Sequence, residues 1–142
     1  MKYYLDCEFD GPELLSLALV SESGSELYLT AHHRTADAPW VQENVCSIID
    51  LPGMDSKPLT SAKSELESYF AGDRSPEIIA DWPTDFQHFL PMVHDDMGNM
   101  INMPSFTCSV KRVDAYPTQL KGAVQHNALW DARALRHLLE AA

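Results

Sequence analysis

YYLDCEFDGPELLSLALV, residues 3–20, decides how the chain is read. Its first half is rich in aromatic and apolar residues, so residues 2–9 are expected to form a strand. Asp10-Gly11-Pro12 supplies turn chemistry, and residues 14–20 then read as a second, largely buried strand. Side chains at i and i+2 of a strand leave the same face, so Asp6 and Glu8 point together, with Tyr4 beside them. Two like charges side by side in an otherwise apolar strand are unfavourable unless a cation sits between them. Two acids on a solvent-facing edge strand satisfy the same short D-x-E pattern, so spacing alone leaves both readings open.

Outward from this segment, residues 21–25 lead to a third strand over 26–30. Three short strands with tight connections predict an antiparallel meander. Residues 38–49 are expected to be helical, because Trp40, Val41, Val45 and Ile48 recur at helical spacing before Pro52-Gly53 stops them. A second helix is predicted over 59–70, capped by Thr60 or Ser61. Residues 77–80 read as a strand, and Pro83 opens a helix with Phe86, Phe89, Leu90 and Val93 as its apolar stripe. Residues 95–104 read as a loop containing a short strand near 100–103, residues 106–110 as a further strand, and residues 128–140 as the clearest helix. The order implies an α/β fold: a mixed sheet flanked by helices.

The 142 residues fit one domain, 1–142, and the hydrophobic fraction of 45% is ordinary for a globular chain. No apolar run is long enough for a bilayer span, and Asp6 and Glu8 interrupt the place where an export signal needs an apolar core. Cys7, Cys46 and Cys108 are odd in number and lack a CxxC pair. They read as reduced, buried thiols of a cytoplasmic protein. The net charge of −11 is unusual for a protein that grips long polynucleotides, which normally carries a basic stripe. Discounting four candidate metal-binding carboxylates still leaves −7 from the −11. A nucleic-acid substrate would then be held by metal ions and a few local cations, which favours short or single-stranded ends.

Three further places carry chemistry. With Asn127 as cap, Asp131 falls in the first turn of the last helix, near the positive end of its dipole. Asp131, Leu135 and Leu138 share the apolar stripe, and a carboxylate on a core face needs a strong partner; a metal ion or the helix terminus would serve. His126 lies just outside that helix, and imidazole is a suitable general base for water near neutral pH. Asp85, in ADWPTDF, follows a strand and opens a helix, at the sheet edge where open α/β sheets gather ligands. Asp81, four residues earlier, is the other candidate there, and acids in a first helical turn are also favoured by the dipole alone.

D-x-E on the first strand, an aspartate at a central strand-to-helix junction, and H-x4-D at the last helix follow the order of the DEDDh, or DnaQ-like, exonuclease family. Within it, the chain resembles small bacterial exoribonucleases of the mycobacterial polyadenylate-specific type. YYLDCEFDGPELLSLALV is similar to their opening strand pair and HNALWDARAL to their final motif. The middle departs from the pattern: Asp81 and Thr84 stand where the family has asparagine and an aromatic. The resemblance implies a five-stranded ribonuclease-H-like sheet and two divalent ions, Mg²⁺ or Mn²⁺, held by Asp6, Glu8 and Asp131 and completed by Asp85. It implies His126 as the base, release of nucleoside 5′-monophosphates from single-stranded 3′ ends, and a homodimer. The preference for RNA over DNA comes only from this resemblance. Phe9 is a candidate for stacking on a terminal base and Lys111, with Arg112 and Lys121, for meeting phosphates. Trp82 and Trp130 read as packing residues. A nonhydrolytic nucleic-acid or protein-interaction module of the same fold is the competing reading.

Overall fold

A computed structural model of the chain describes residues 1–113 and 120–141. The opening segment folds as its pattern dictates. Strands β1 (Lys2–Asp10) and β2 (Glu13–Ser21) pair antiparallel and turn at Gly11, whose φ of +56° is the left-handed conformation that glycine adopts without steric cost. Strand β3 (Glu26–Thr30) continues the meander against β2. After helix α1 (Pro39–Asn44), strand β4 (Lys57–Pro58) and helix α2 (Ala62–Phe70), strand β5 (Glu77–Ala80) returns to lie parallel to β1. Helix α3 (Pro83–Phe89) and strand β6 (Thr107–Val110) follow, β6 parallel to β5, and helix α4 (Ala128–Glu140) ends the fold. The sheet order is β4-β3-β2-β1-β5-β6.

The alternation of β1 divides its side chains between two layers. Tyr3, Leu5 and Cys7 join Leu17, Leu19, Leu27 and Leu29 in a core closed by Leu66 and Phe70 of α2 and Phe86 and Phe89 of α3. Tyr4 faces the other way and packs with Ile79 and Leu135 of α4, while Ala18, Val20 and Tyr28 meet Ala128, Leu129 and Ala132. Asp6 and Glu8, in phase with Tyr4, are therefore carried on the α4 side. A β-bulge follows immediately: Glu8 pairs with Ser16 but Phe9 with Leu14, which leaves Leu15 as the extra residue. The bulge reverses the alternation of β2. Leu14 joins Phe9 against the first core, and Leu15 packs with Val45, Cys46 and Ile49.

Several expectations need correction. The sheet has six strands rather than five, because the free edge of β3 accepts Lys57–Pro58 as a two-residue parallel strand. A proline there removes a ladder donor and keeps the strand short. The helix expected over 38–49 is only the six-residue α1; the backbone tightens after Val45 into a 3-10 turn, Cys46–Ile48. The helix expected over 59–70 opens with a 3-10 turn, Leu59–Ser61, and Ser61 makes no cap. Its hydroxyl donates to the Pro58 carbonyl at 2.9 Å instead. The stripe after Pro83 likewise ends in a 3-10 turn, Leu90–Val93, where Pro91 lacks the amide that would continue α3. Around residues 100–103 only a single antiparallel bridge forms, His94 to Met100. Cys7 and Cys46 are buried, but Cys108 lies exposed on the edge strand β6. Among the described residues, no helix is long and apolar enough to cross a membrane.

Candidate metal centre

Asp6 and Glu8 are held by β1 at the centre of the sheet. Asp81 is the first residue beyond β5, the neighbouring parallel strand, and Asp85 lies in the first turn of α3. Pro83 starts that helix with its fixed φ and no unsatisfied amide, which turns Asp85 back toward β1. The Cys7 amide donates to Asp85 Oδ1 at 3.2 Å and locks the carboxylate there. Asp131 arrives on α4. Asn127 caps that helix as expected: its Oδ1 accepts the Trp130 amide at 3.1 Å. Its Nδ2 donates to the Ile48 carbonyl at 2.8 Å and to the Tyr28 hydroxyl at 3.3 Å, which ties the start of α4 to the chain beside α1.

His126 stands directly before this cap with φ of +67°, the only non-glycine left-handed residue among those described. Its backbone amide donates to Asp131 Oδ2 at 3.1 Å, and its ring meets Trp40 edge-on with centroids 4.9 Å apart. A strained histidine backbone, pinned from two sides and set beside a carboxylate cluster, is the kind of outlier that a functional site maintains.

The result is an open cavity of about 420 Å³ whose wall includes Asp6, Glu8, Asp81, Asp85, Asp131 and His126. Glu8, His126 and Asp131 bring ligand atoms within 4.8 Å of one another, and so do Asp6, Asp81 and Asp85. Asp6 and Asp85 are buried, 7% and 3% exposed, and Asp131 is 7% exposed. Burial in this crowd of like charges drives all four buried or half-buried carboxyls of residues 6, 8, 85 and 131 upward. Desolvation is the largest cause for Asp6, reinforced by the charges of Glu8, Asp85, Asp131 and Asp81, and holds it well above the ordinary carboxylate range. Glu8 is pushed up to about 9 by burial, by the charge of Asp131 and by a side-chain hydrogen bond with that carboxyl. Asp85 rises to about 7, through burial and the Asp81 charge, against the opposing Cys7 amide. Asp131 also rises to about 7, through burial, although the Glu8 bond and the His126 amide pull the other way.

This cluster fits divalent cations on chemical grounds. The donors are carboxylate oxygens, the set that suits Mg²⁺ and Mn²⁺, with one imidazole beside them. Asp6 Oδ2 is buried and finds no hydrogen-bond partner among the described residues, a need of the kind that a cation meets. No family model and no curated protein matches this chain.

The sequence-expected site residues divide into two groups. Asp6, Glu8, Asp85, Asp131 and His126 all reach the cavity. Asp81 reaches it too, so both candidates of ADWPTDF lie at the cavity. Phe9 lines the cavity, but one face of its ring is stacked on His88, with centroids 4.5 Å apart and planes 24° apart. Lys111 does not line the cavity; it is exposed, and its amide donates to the Ala80 carbonyl as β6 continues beside β5. Arg112 lies 5.0 Å over the ring of Trp82, and Trp82 is 50% exposed at the cavity rather than packed inside. Trp40 and Gln125 also line it. Trp40 was hidden because its spacing places it on the apolar stripe of a longer helix than the one that forms.

Proposed function

We propose that the protein is a metal-dependent 3′–5′ exonuclease of the ribonuclease-H-like, DEDDh type, acting on single-stranded RNA ends before DNA. One observation carries the reading: carboxylates from residues 6, 8, 85 and 131, with His126, converge on one open cavity. The sheet order supports the fold assignment, since without the two-residue β4 it runs β3-β2-β1-β5-β6 with the first three strands antiparallel.

Asp6, Glu8, Asp131 and Asp85 would hold two divalent ions, Mg²⁺ or Mn²⁺. When bound, such ions supply positive charge for the attacking and leaving oxygens of a phosphodiester displacement. Asp131 has a second task, because its carboxylate fixes the His126 backbone and thereby aims the imidazole into the cavity. His126 takes the proton from attacking water, with Trp40 limiting the ring's freedom. The open mouth admits a chain end and the net charge of −11 disfavours long polyanions, which favours the end of a single strand, while the 3′ polarity comes from the family resemblance.

Digestion of a 3′-labelled RNA with Mn²⁺, with Mg²⁺ and with chelator tests activity, polarity and metal demand together. Stepwise release of nucleoside 5′-monophosphates, lost with chelator and in Asp6→Ala, is the expected result. Metal-independent cleavage, or normal turnover by Asp6→Ala, would overturn it. RNA and DNA oligomers of matched sequence decide the sugar preference, and sedimentation decides the homodimer that belongs to the same proposal.

A further inference from the structure

We propose that Asp81 is a direct metal ligand, forming with Asp6 and Asp85 an all-oxygen subsite beside the Glu8–Asp131 pair that His126 overlooks. The inference rests on the reading of this cluster as a metal centre, and adds to it a fifth carboxylate at a position where the resembled family has asparagine.

Placement carries the first part. β5 lies next to β1 and in parallel, so the end of β5 delivers the next residue, Asp81, to the same end of the sheet where β1 carries Asp6. Four residues later, the opening turn of α3 brings Asp85 back to the same point. Carboxylate oxygens of all three lie within 4.8 Å of one another. The second part is independent of this crowding. Asp6, only 7% exposed, leaves its Oδ2 without a hydrogen bond among the described residues and lines the cavity that Asp81 and Asp85 also line. A buried anionic oxygen without a donor costs several kcal/mol unless a cation meets it, in order-of-magnitude terms.

Charge then separates Asp81 from an asparagine at the same place. Asp6, Glu8, Asp81, Asp85 and Asp131 carry five formal negative charges when ionised, and two divalent ions neutralise four of them. An amide at position 81 would leave the centre balanced, whereas the carboxylate leaves it one charge negative. The extra anion strengthens cation binding, since affinity of oxygen-donor sites rises with ligand charge. It also weakens the pull on a substrate phosphate. The structure thus points to a centre that holds its ions tightly and attracts its polyanionic substrate less than a four-carboxylate centre would.

Mn²⁺ titration of the folded wild type, Asp81→Asn, Asp81→Ala and Asp131→Asn, followed by the electron paramagnetic resonance of free Mn²⁺ and by calorimetry, tests this without any turnover. Circular dichroism confirms that each variant is folded; Asp81 is only half-buried, so neither substitution opens the core. Wild type should bind two ions. Both Asp81 variants should bind one of them about 10- to 100-fold more weakly, while Asp131→Asn weakens the other. Two ions bound by the Asp81 variants with wild-type affinities would overturn the role of Asp81 and leave the metal centre standing. A wild type that binds no Mn²⁺ would remove the metal centre itself.

Discussion

Replacing Asp131 by asparagine should make the metal-free protein more stable, and the size of the gain follows from its surroundings. The side chain is buried at the start of α4, where its carboxyl is raised from 3.8 to about 7, first by burial. A tenfold difference in proton affinity between folded and unfolded chains is worth about 1.4 kcal/mol, so holding this group costs the folded state roughly 4 kcal/mol once the pH exceeds both pKa values. The cost has a definite pH dependence. Well below pH 4 the carboxyl is protonated in both folded and unfolded chains, and the two proteins should be about equally stable. As pH rises, the unfolded chain releases the proton while the folded chain retains it, so the Asp131 contribution to wild-type stability falls through about pH 7 and then levels. Glu8, held near 9, and Asp6 go on lowering stability above that pH in both proteins. Asparagine keeps an acceptor for the His126 amide but loses the charge-assisted part of that bond, which takes back roughly 1 kcal/mol. In chelator at pH 8 the variant should therefore lead by about 2–4 kcal/mol in urea unfolding. Saturating Mn²⁺ should narrow or reverse the order: at a hundredfold excess over Kd, binding at one site adds about 2.7 kcal/mol to the wild type, and the variant, one ligand short, gains less. A variant less stable than wild type in chelator at pH 8, or a wild type whose stability does not change between pH 5 and 8, would refute the convergence of desolvated acids.

Three more substitutions probe the parts around the acids. His126→Ala should lower kcat by about 10²–10⁴-fold while Mn²⁺ affinity in calorimetry stays within a few-fold of wild type; an affinity loss as large as that of Asp131→Asn would make the imidazole a ligand instead of a base. Trp40→Ala should cut kcat by about tenfold, with KM and thermal stability little changed because the indole is 55% exposed, and Trp40→Phe should restore most of the rate; equal rates for all three would detach Trp40 from His126. Asn127→Ala removes the α4 cap, worth about 1 kcal/mol, and strands the Ile48 carbonyl it ties down, for a total of about 2–3 kcal/mol in urea unfolding. A loss below about 0.5 kcal/mol would show that the start of α4 is held by packing alone.

What the sequence discloses about this site, and what it conceals, follows the range over which each interaction acts. The Asp6–Glu8 pair is legible because a strand has a period of two, and β1 is a strand. The cap at Asn127 and the place of Asp131 are legible because helix termini have local chemistry, and both are found where that chemistry puts them. The breaks at Val45 and at Leu59–Ser61 are not, since apolar spacing stays helical through a 3-10 turn while tertiary packing sets the backbone. The bulge that sends Leu15 and Leu14 to opposite cores is likewise invisible in an apolar run that suits either face. Asp81 shows the limit most sharply. Its pattern, an acid after a strand and four residues before another acid, permits one site residue or two. Only the parallel pairing of β5 with β1, between strands far apart in the chain, brings both aspartates to Asp6. The same long-range pairing creates the electrostatic cost and the means of relieving it. Acids that are harmless apart in the chain become mutually repulsive when the sheet forms, so folding itself builds the electrostatic cost that the proposed cations would relieve.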